Sequence, residues 1–85
     1  MEKQHIVNRM FVSAYSAKKF LDRGNTVLAA YYYGQYSAAY ITLQVDPWEV
    51  ADDPAVPHIT REHVTEMLEN AHTVYEKLIY PAFGD

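Results

Sequence analysis

Apolar residues recur at three- and four-residue steps along the first part of the chain: Ile6, Val7, Met10, Ala14, Ala17 and Leu21, with Phe11 and Phe20 flanking the stripe. That period places them on one side of a helix and predicts an amphipathic helix from Glu2 to Asp22. Lys18, Lys19 and Arg23 fall in or just after its last turn, where cations complement the helix dipole. Gly24 follows and supplies the left-handed residue that ends helices.

Between Asn25 and Val45 the pattern changes, because the stretch carries no charged residue at all. Asn25 is a good N-cap for a helix over residues 26 to 45, with Val27, Ala30, Tyr31, Gly34, Ala38, Ile41 and Val45 on one side. Ala30, Gly34 and Ala38 form a seam of small side chains that lets a neighbouring helix come close. Tyr33, Tyr36 and Tyr40 share a second stripe with Ala29, which predicts a central helix buried from more than one side. The same residues also fit two strands, Thr26 to Tyr33 and Tyr36 to Val45, joined at Gly34-Gln35, since apolar and polar positions alternate from Ala39 to Val45. The Gly24-Asn25 junction and four alanines favour the helix, and Gly-Gln is not a strong hairpin turn.

Three prolines (Pro47, Pro54, Pro57) and the Asp52-Asp53 pair make residues 46 to 59 a long connecting loop, with Trp48 expected to pin it to the body. Thr60 then caps a last helix running to about Ile79, with Glu62 in its first turn. Val64, Met67, Leu68, Ala71, Val74, Tyr75 and Leu78 form its apolar face, and Pro81 is expected to end it, with Tyr80 and Phe83 folding back on the core. The fold class is therefore all-α: one small three-helix domain over residues 1 to 85, with a long Pro-rich loop before the last helix. An α-β-β-α arrangement with a hairpin at residues 26 to 45 is the alternative.

With 85 residues, a single core gives modest stability, so self-association is expected. The chain has no cysteine, which excludes disulfides, thiolate metal sites and Cys nucleophiles and fits a reducing compartment. The N-terminus lacks the basic-then-apolar layout of a signal peptide, and the five tyrosines within residues 25 to 45 are wrongly placed for a membrane span. A cytoplasmic protein with no membrane partner is expected.

Charge is segregated along the chain. Residues 1 to 23 hold five basic groups against Glu2 and Asp22, whereas residues 46 to 85 hold nine acids against Arg61 and Lys77, for a net charge of -4 overall. The sharpest surface feature is an acidic ridge, Glu62, Glu66, Glu69 and Glu76, opposite the apolar face of the last helix. Like charges at four-residue spacing cost a few tenths of a kcal/mol, so the ridge reads as a docking surface for a partner with a basic surface, or as an ordinary solvated face. His5, Arg9, Lys19 and Arg23 form a fainter basic mirror on the first helix. An acidic domain without a recognition helix, zinc spacing or Gly-rich RNA motif argues against nucleic-acid binding.

Catalytic and metal chemistry find little footing. Glu69 and His72 make the Glu-x-x-His step of bundle di-iron sites, but those sites need further inward carboxylates and the second helix has no acid. His5, His58 and His63 have no zinc spacing, and no P-loop, nucleophile elbow or dinucleotide-binding glycine pattern occurs. No cofactor and no metal are expected, and no enzyme activity.

Ala17-Lys18-Lys19-Phe20-Leu21-Asp22-Arg23-Gly24, followed by Ala29-Ala30, resembles the helical hairpin of HEPN domains and tetratricopeptide units. The likeness implies a helix-turn-helix and stops there: the Arg-x4-6-His motif of HEPN ribonucleases is absent, as is a tetratricopeptide repeat. The expected function is non-catalytic protein binding, by a small adaptor or inhibitor of the sort phages and mobile elements often encode. It would act through Glu62, Glu66, Glu69 and Glu76 for charge and Tyr33, Tyr36 and Tyr40 for contact area. One alternative is a nucleotide-like ligand held at a subunit boundary by Lys18, Lys19, Arg23 and Tyr32. Another is a homo-oligomerisation module.

Overall fold

The computed structural model describes residues 3 to 83, apart from the side chain of Phe83, so the start of the first helix at Glu2 and the packing of Phe83 lie outside the described residues. Every regular element is helical: α1 (Lys3–Asp22), α2 (Thr26–Leu43), α3 (Pro47–Ala51), α4 (Arg61–Val74), a π-helical turn (Tyr75–Ile79) and α5 (Tyr80–Phe83). Residues 26 to 43 are one helix, and the hairpin alternative for this segment does not occur.

Local chemistry sets the boundaries. After α1, Gly24 adopts φ +80°, and the Asn25 N–H reaches back to the Phe20 carbonyl at 2.9 Å while Gly24 N–H bonds Leu21 at 3.0 Å. These two bonds satisfy carbonyls that the helix end would orphan. Asn25 caps α2 by accepting from the Leu28 N–H at 3.1 Å. The far end of α2 stops at Gln44, whose φ of 58° is left-handed without the freedom of a glycine. Thr60 caps α4 in a reciprocal box: its hydroxyl accepts from the His63 N–H at 3.2 Å, and its own N–H donates to His63 Nδ1 at 3.1 Å. The ring nitrogen thus takes the role that Glu or Gln usually fills at this position.

The central element is α1, not α2. It packs along most of its length against α2 and, on another side, against α4, whereas α2 and α4 meet only lightly. Val7, Met10, Ala14 and Ala17 are fully enclosed, and the first three share one core cluster with Tyr36, Ala39 and Leu43 from α2 and Val64, Met67 and Ala71 from α4. One face of α2 is consequently buried, and it is the tyrosine and Ala29 side. The small-residue side expected to meet a neighbour faces outward: Val27 is 77% exposed, Ile41 71% and Tyr31 56%, with Ala30, Gly34 and Ala38 also exposed.

The Pro-rich connection is more ordered than its composition suggests. Asp46 accepts from the Trp48 N–H at 2.8 Å, and Pro47 occupies the first helical position, where a missing N–H costs nothing, so α3 forms inside the expected loop. Trp48 does not pin the segment: it is 36% exposed, with the Arg61 guanidinium 5.3 Å above its ring. The anchors are Val50 and Val56, both wholly buried, and Ile59. Asp53 ties the segment to the start of the chain through an ion pair with Lys3, and also accepts from the Ala55 N–H at 2.8 Å. That pairing, with the Ala55 bond, holds the Asp53 carboxyl below its usual range.

Pro81 does not end the last helix. Proline lacks an N–H and its ring crowds the carbonyl four residues back, here Lys77. The backbone widens into the π turn, with the Tyr80 N–H bonding the Tyr75 carbonyl, and passes through Pro81 into α5. Tyr80 remains exposed rather than folded onto the core.

Candidate functional site

Because α2 and α4 both lean on α1 and barely touch each other, a groove opens between them with a volume of about 620 Å³. Its α2 wall is Tyr33, Tyr36, Ser37, Tyr40 and Ile41, and its other wall is Leu68, Ala71 and His72 of α4 with Tyr75 from the π turn. The spacing of Tyr33, Tyr36 and Tyr40 puts their rings in one line down α2. The line continues across the groove: ring centroids lie 5.9 Å apart for Tyr40 and Tyr36, 5.7 Å for Tyr36 and Tyr33, 6.4 Å for Tyr33 and Tyr75, and 6.1 Å for Tyr75 and Tyr80. Tilted and edge-on pairs at such separations add about 0.5–1.5 kcal/mol each beyond area burial, so the lining is a coupled array.

The three tyrosines singled out from the sequence play graded roles. Tyr36 is a core residue, 7% exposed, whereas Tyr33 is half-buried and Tyr40 and Tyr75 are open to solvent along much of one face. Burial pushes the Tyr36 phenol up to about 12, with Tyr40 and Tyr33 adding to the shift. Tyr33 is raised for the same main reason, opposed by a hydrogen bond with Ser37 and reinforced by Tyr75. At neutral pH these phenols are therefore neutral, and the groove offers π faces and hydroxyls with no lysine or arginine among its lining residues. Such a surface suits an apolar or aromatic group carrying a few polar atoms.

The acidic ridge lies along the solvent side of α4 and the π turn, where Glu62, Glu66 and Glu69 of α4 and Glu76 of the turn are all exposed. Its C-terminal end touches the groove, since His72 lines the groove and its Nε2 sits 2.8 Å from Glu76 Oε1. Glu66 instead borders a shallow cleft of about 360 Å³ on the α1 side, shared with Tyr15, Lys18, Lys19, Asp22, Arg23 and Asn70. Tertiary packing thus sets α1 cations beside a ridge that has no basic residue of its own. The alternative ligand set is split: Lys18, Lys19 and Arg23 share that cleft, with Lys18 paired to Asp22 at 2.7 Å, while Tyr32 is outside it. Tyr32 stacks on Phe20 at 5.6 Å and meets the edge of Tyr31 at 5.1 Å.

Leu68, His72 and Tyr75 were not legible as site residues. Their apolar stripe assigns Leu68 and Tyr75 to the core, and His72 stands out only in the Glu-x-x-His step with Glu69. The usable signal was that Leu68, His72 and Tyr75 share one flank of the last helix, offset from its deepest face. Glu69 and His72 are both exposed, and among the described residues no three His, Asp or Glu side chains converge as a metal site would require. No helix is long and apolar enough to cross a membrane among the described residues. Compared with known proteins, the chain matches no family model, no curated protein and no solved structure.

Proposed function

We propose that the chain is a non-catalytic protein-binding domain of adaptor or inhibitor type, and that the tyrosine groove between α2 and α4 receives an amphipathic helix of the partner. The observation that supports this most is the groove itself: an open channel of about 620 Å³, lined by a continuous tyrosine array and free of lysine and arginine. Tyrosines give large contact area with little side-chain entropy to lose, and they are enriched at interfaces for that reason. A helix lying in a groove is read through apolar anchors at three- and four-residue steps, which matches the length of α2 that carries Tyr33, Tyr36 and Tyr40.

Charge selects the partner's flank. Glu76 stands at the groove edge on His72, and Glu69, Glu66 and Glu62 continue away from it on α4. A partner helix with Lys or Arg beside its apolar stripe gains steering and orientation from that ridge.

Selection of binders from a library of helical peptides, followed by NMR titration, tests this reading. Expected binders carry aliphatic anchors with adjacent Lys or Arg, shift the ring resonances of Tyr33, Tyr40 and Tyr75, and lose affinity to both Tyr40→Ala and Glu76→Lys. A library that yields no binder, or binders indifferent to Tyr40→Ala, overturns it. A thermal-shift screen of nucleotides and other aromatic small molecules covers the ligand alternative, which requires stabilisation that Tyr40→Ala abolishes.

A further inference from the structure

Between α1 and α4, apart from the tyrosine groove, two further clefts lie end to end. The first, of about 260 Å³, is lined by Phe11, Val12 and Tyr15 from α1 and by His63 and Met67 from α4. The second, of about 360 Å³, is lined at its far end by Lys18, Lys19, Asp22 and Arg23. Tyr15, Glu66 and Asn70 line both, so the two join into one channel that changes from apolar to cationic along its length.

Both ends of this channel are left unfinished by the chain itself. Val12 is 62% and Tyr15 58% exposed, so apolar surface on α1 stays open to water. At the other end Lys18 is neutralised by Asp22 at 2.7 Å, whereas Lys19 and Arg23 have no carboxylate partner among the described residues. Part of their charge offsets the dipole at the end of α1, but that role does not require an apolar shelf leading up to them. Among the carboxylates that line the channel Glu66 is the unpaired one, and Glu62, Glu69 and Glu76 line neither cleft. The uncommitted charges are therefore two cations against one carboxylate, in a chain of net charge -4.

We propose that this channel binds a small amphipathic organic anion, an alkyl or aryl body that ends in a carboxylate. The joined clefts have the room of a small-molecule site, which is roughly 300–1,000 Å³. Charge fixes the direction of the ligand. Its carboxylate lies at Lys19 and Arg23, where the planar guanidinium can hold both oxygens, and its body lies over Val12, Tyr15 and Met67. Glu66, at the junction, repels a carboxylate placed beside it and so keeps the head at the cationic end. Seven residue steps of α1 separate Val12 from Lys19, about 10 Å, which an extended chain of roughly eight C–C bonds spans. The site is independent of the tyrosine groove, which shares none of these residues.

NMR titration of the intact chain with monomeric decanoate tests the proposal, against acetate, which has the head alone, and decyltrimethylammonium, which has a similar body with a cationic head. Decanoate should saturate, shift the Val12 and Met67 methyls and the Tyr15 ring, and weaken with added salt. Acetate should not saturate, and decyltrimethylammonium should bind several-fold more weakly. Replacing Lys19 and Arg23 together by Gln should weaken decanoate about tenfold, while Glu66→Gln should tighten it about threefold by removing the repulsion. Both sites are exposed, and melts of the variants confirm that the fold is kept. The idea is overturned by an absence of saturation, by equal affinity for the two head groups, or by a double variant that binds as the parent does. Shifts centred on Tyr33, Tyr40 and Tyr75 that Tyr40→Ala abolishes would place the ligand in the other groove and also overturn it. So would binding to vesicles of anionic phospholipid without binding to decanoate, since the surface would then serve a bilayer and not a free ligand.

Discussion

Replacing Val56 by alanine tests whether the Pro-rich connection is part of the core or only a tether laid across it. Val56 is wholly buried in one cluster with Val50, Ile59, Val64 and Met67. The substitution deletes two methyl groups, each worth about 0.8 kcal/mol on transfer from water. The cavity left behind adds to that, for a total of about 2–3 kcal/mol. A chain of this size has on the order of 4–13 kcal/mol to lose, so the melting temperature should fall by about 10–20 °C. Val27→Ala is the matched control: the chemistry is identical, but the site is 77% exposed, and the loss should be at most a few tenths of a kcal/mol. Urea titrations of both variants at low concentration, followed by circular dichroism and by fluorescence, give the comparison. Trp48 is the sole tryptophan and lies in α3, so its emission reports the connection while the dichroism reports the long helices. Coincident transitions are expected. If the two variants differ by less than 1 kcal/mol, or Trp48 unfolds well before the helices, the connection contributes little to the core and the reasoning fails.

His63→Ala should cost about 0.5–1 kcal/mol by breaking the reciprocal cap with Thr60, and His63→Gln should restore most of it, since an amide oxygen can accept the same N–H; thermal melts of the two variants check this. Gln44→Gly should stabilise by up to about 1 kcal/mol, because the position is left-handed and glycine adopts it without strain; an unchanged or lower denaturation midpoint would count against that account. Folding raises the Tyr36 pKa to about 12, so its contribution is fully present below pH 10 and should be lost as pH climbs from 10 towards 12. Tyr36→Phe should flatten that alkaline decline in a pH series of melts. The Asp53 shift runs the other way: a lowered carboxyl contributes above the ordinary carboxylate range and is lost as pH falls through it, so Asp53→Asn should remove part of the acid sensitivity of the fold.

Much of the secondary structure could be read from local chemistry, because the residues that decide it are neighbours. Gly24 ends α1, Asn25 opens α2 and Thr60 opens α4, each through hydrogen bonds within a few residues. The stripe of α1 was equally legible, since its polar positions leave one apolar side. What failed was α2, where apolar residues surround the helix and periodicity names no preferred face. Trp48 misled for a related reason: size suggests an anchor, but the short helix opened by Asp46 and Pro47 buries Pro47 and Val50 instead. Pro81 misled because the helix could widen before it rather than stop.

By itself the sequence determined the three long helices, the boundaries at Gly24, Asn25 and Thr60, and the segregation of cations to residues 1 to 23 and acids to residues 46 to 85, all properties of neighbouring residues. Only the tertiary structure decided that α1, with its apolar stripe, serves both other long helices at once. From that follow the other two outcomes. Tyr36 turns inward while Gly34 turns out, and Tyr33, Tyr36 and Tyr40 meet Tyr75 across a groove that neither helix forms alone. A charge-free helix can bury either side at similar local cost, so the choice rested with the surface it met.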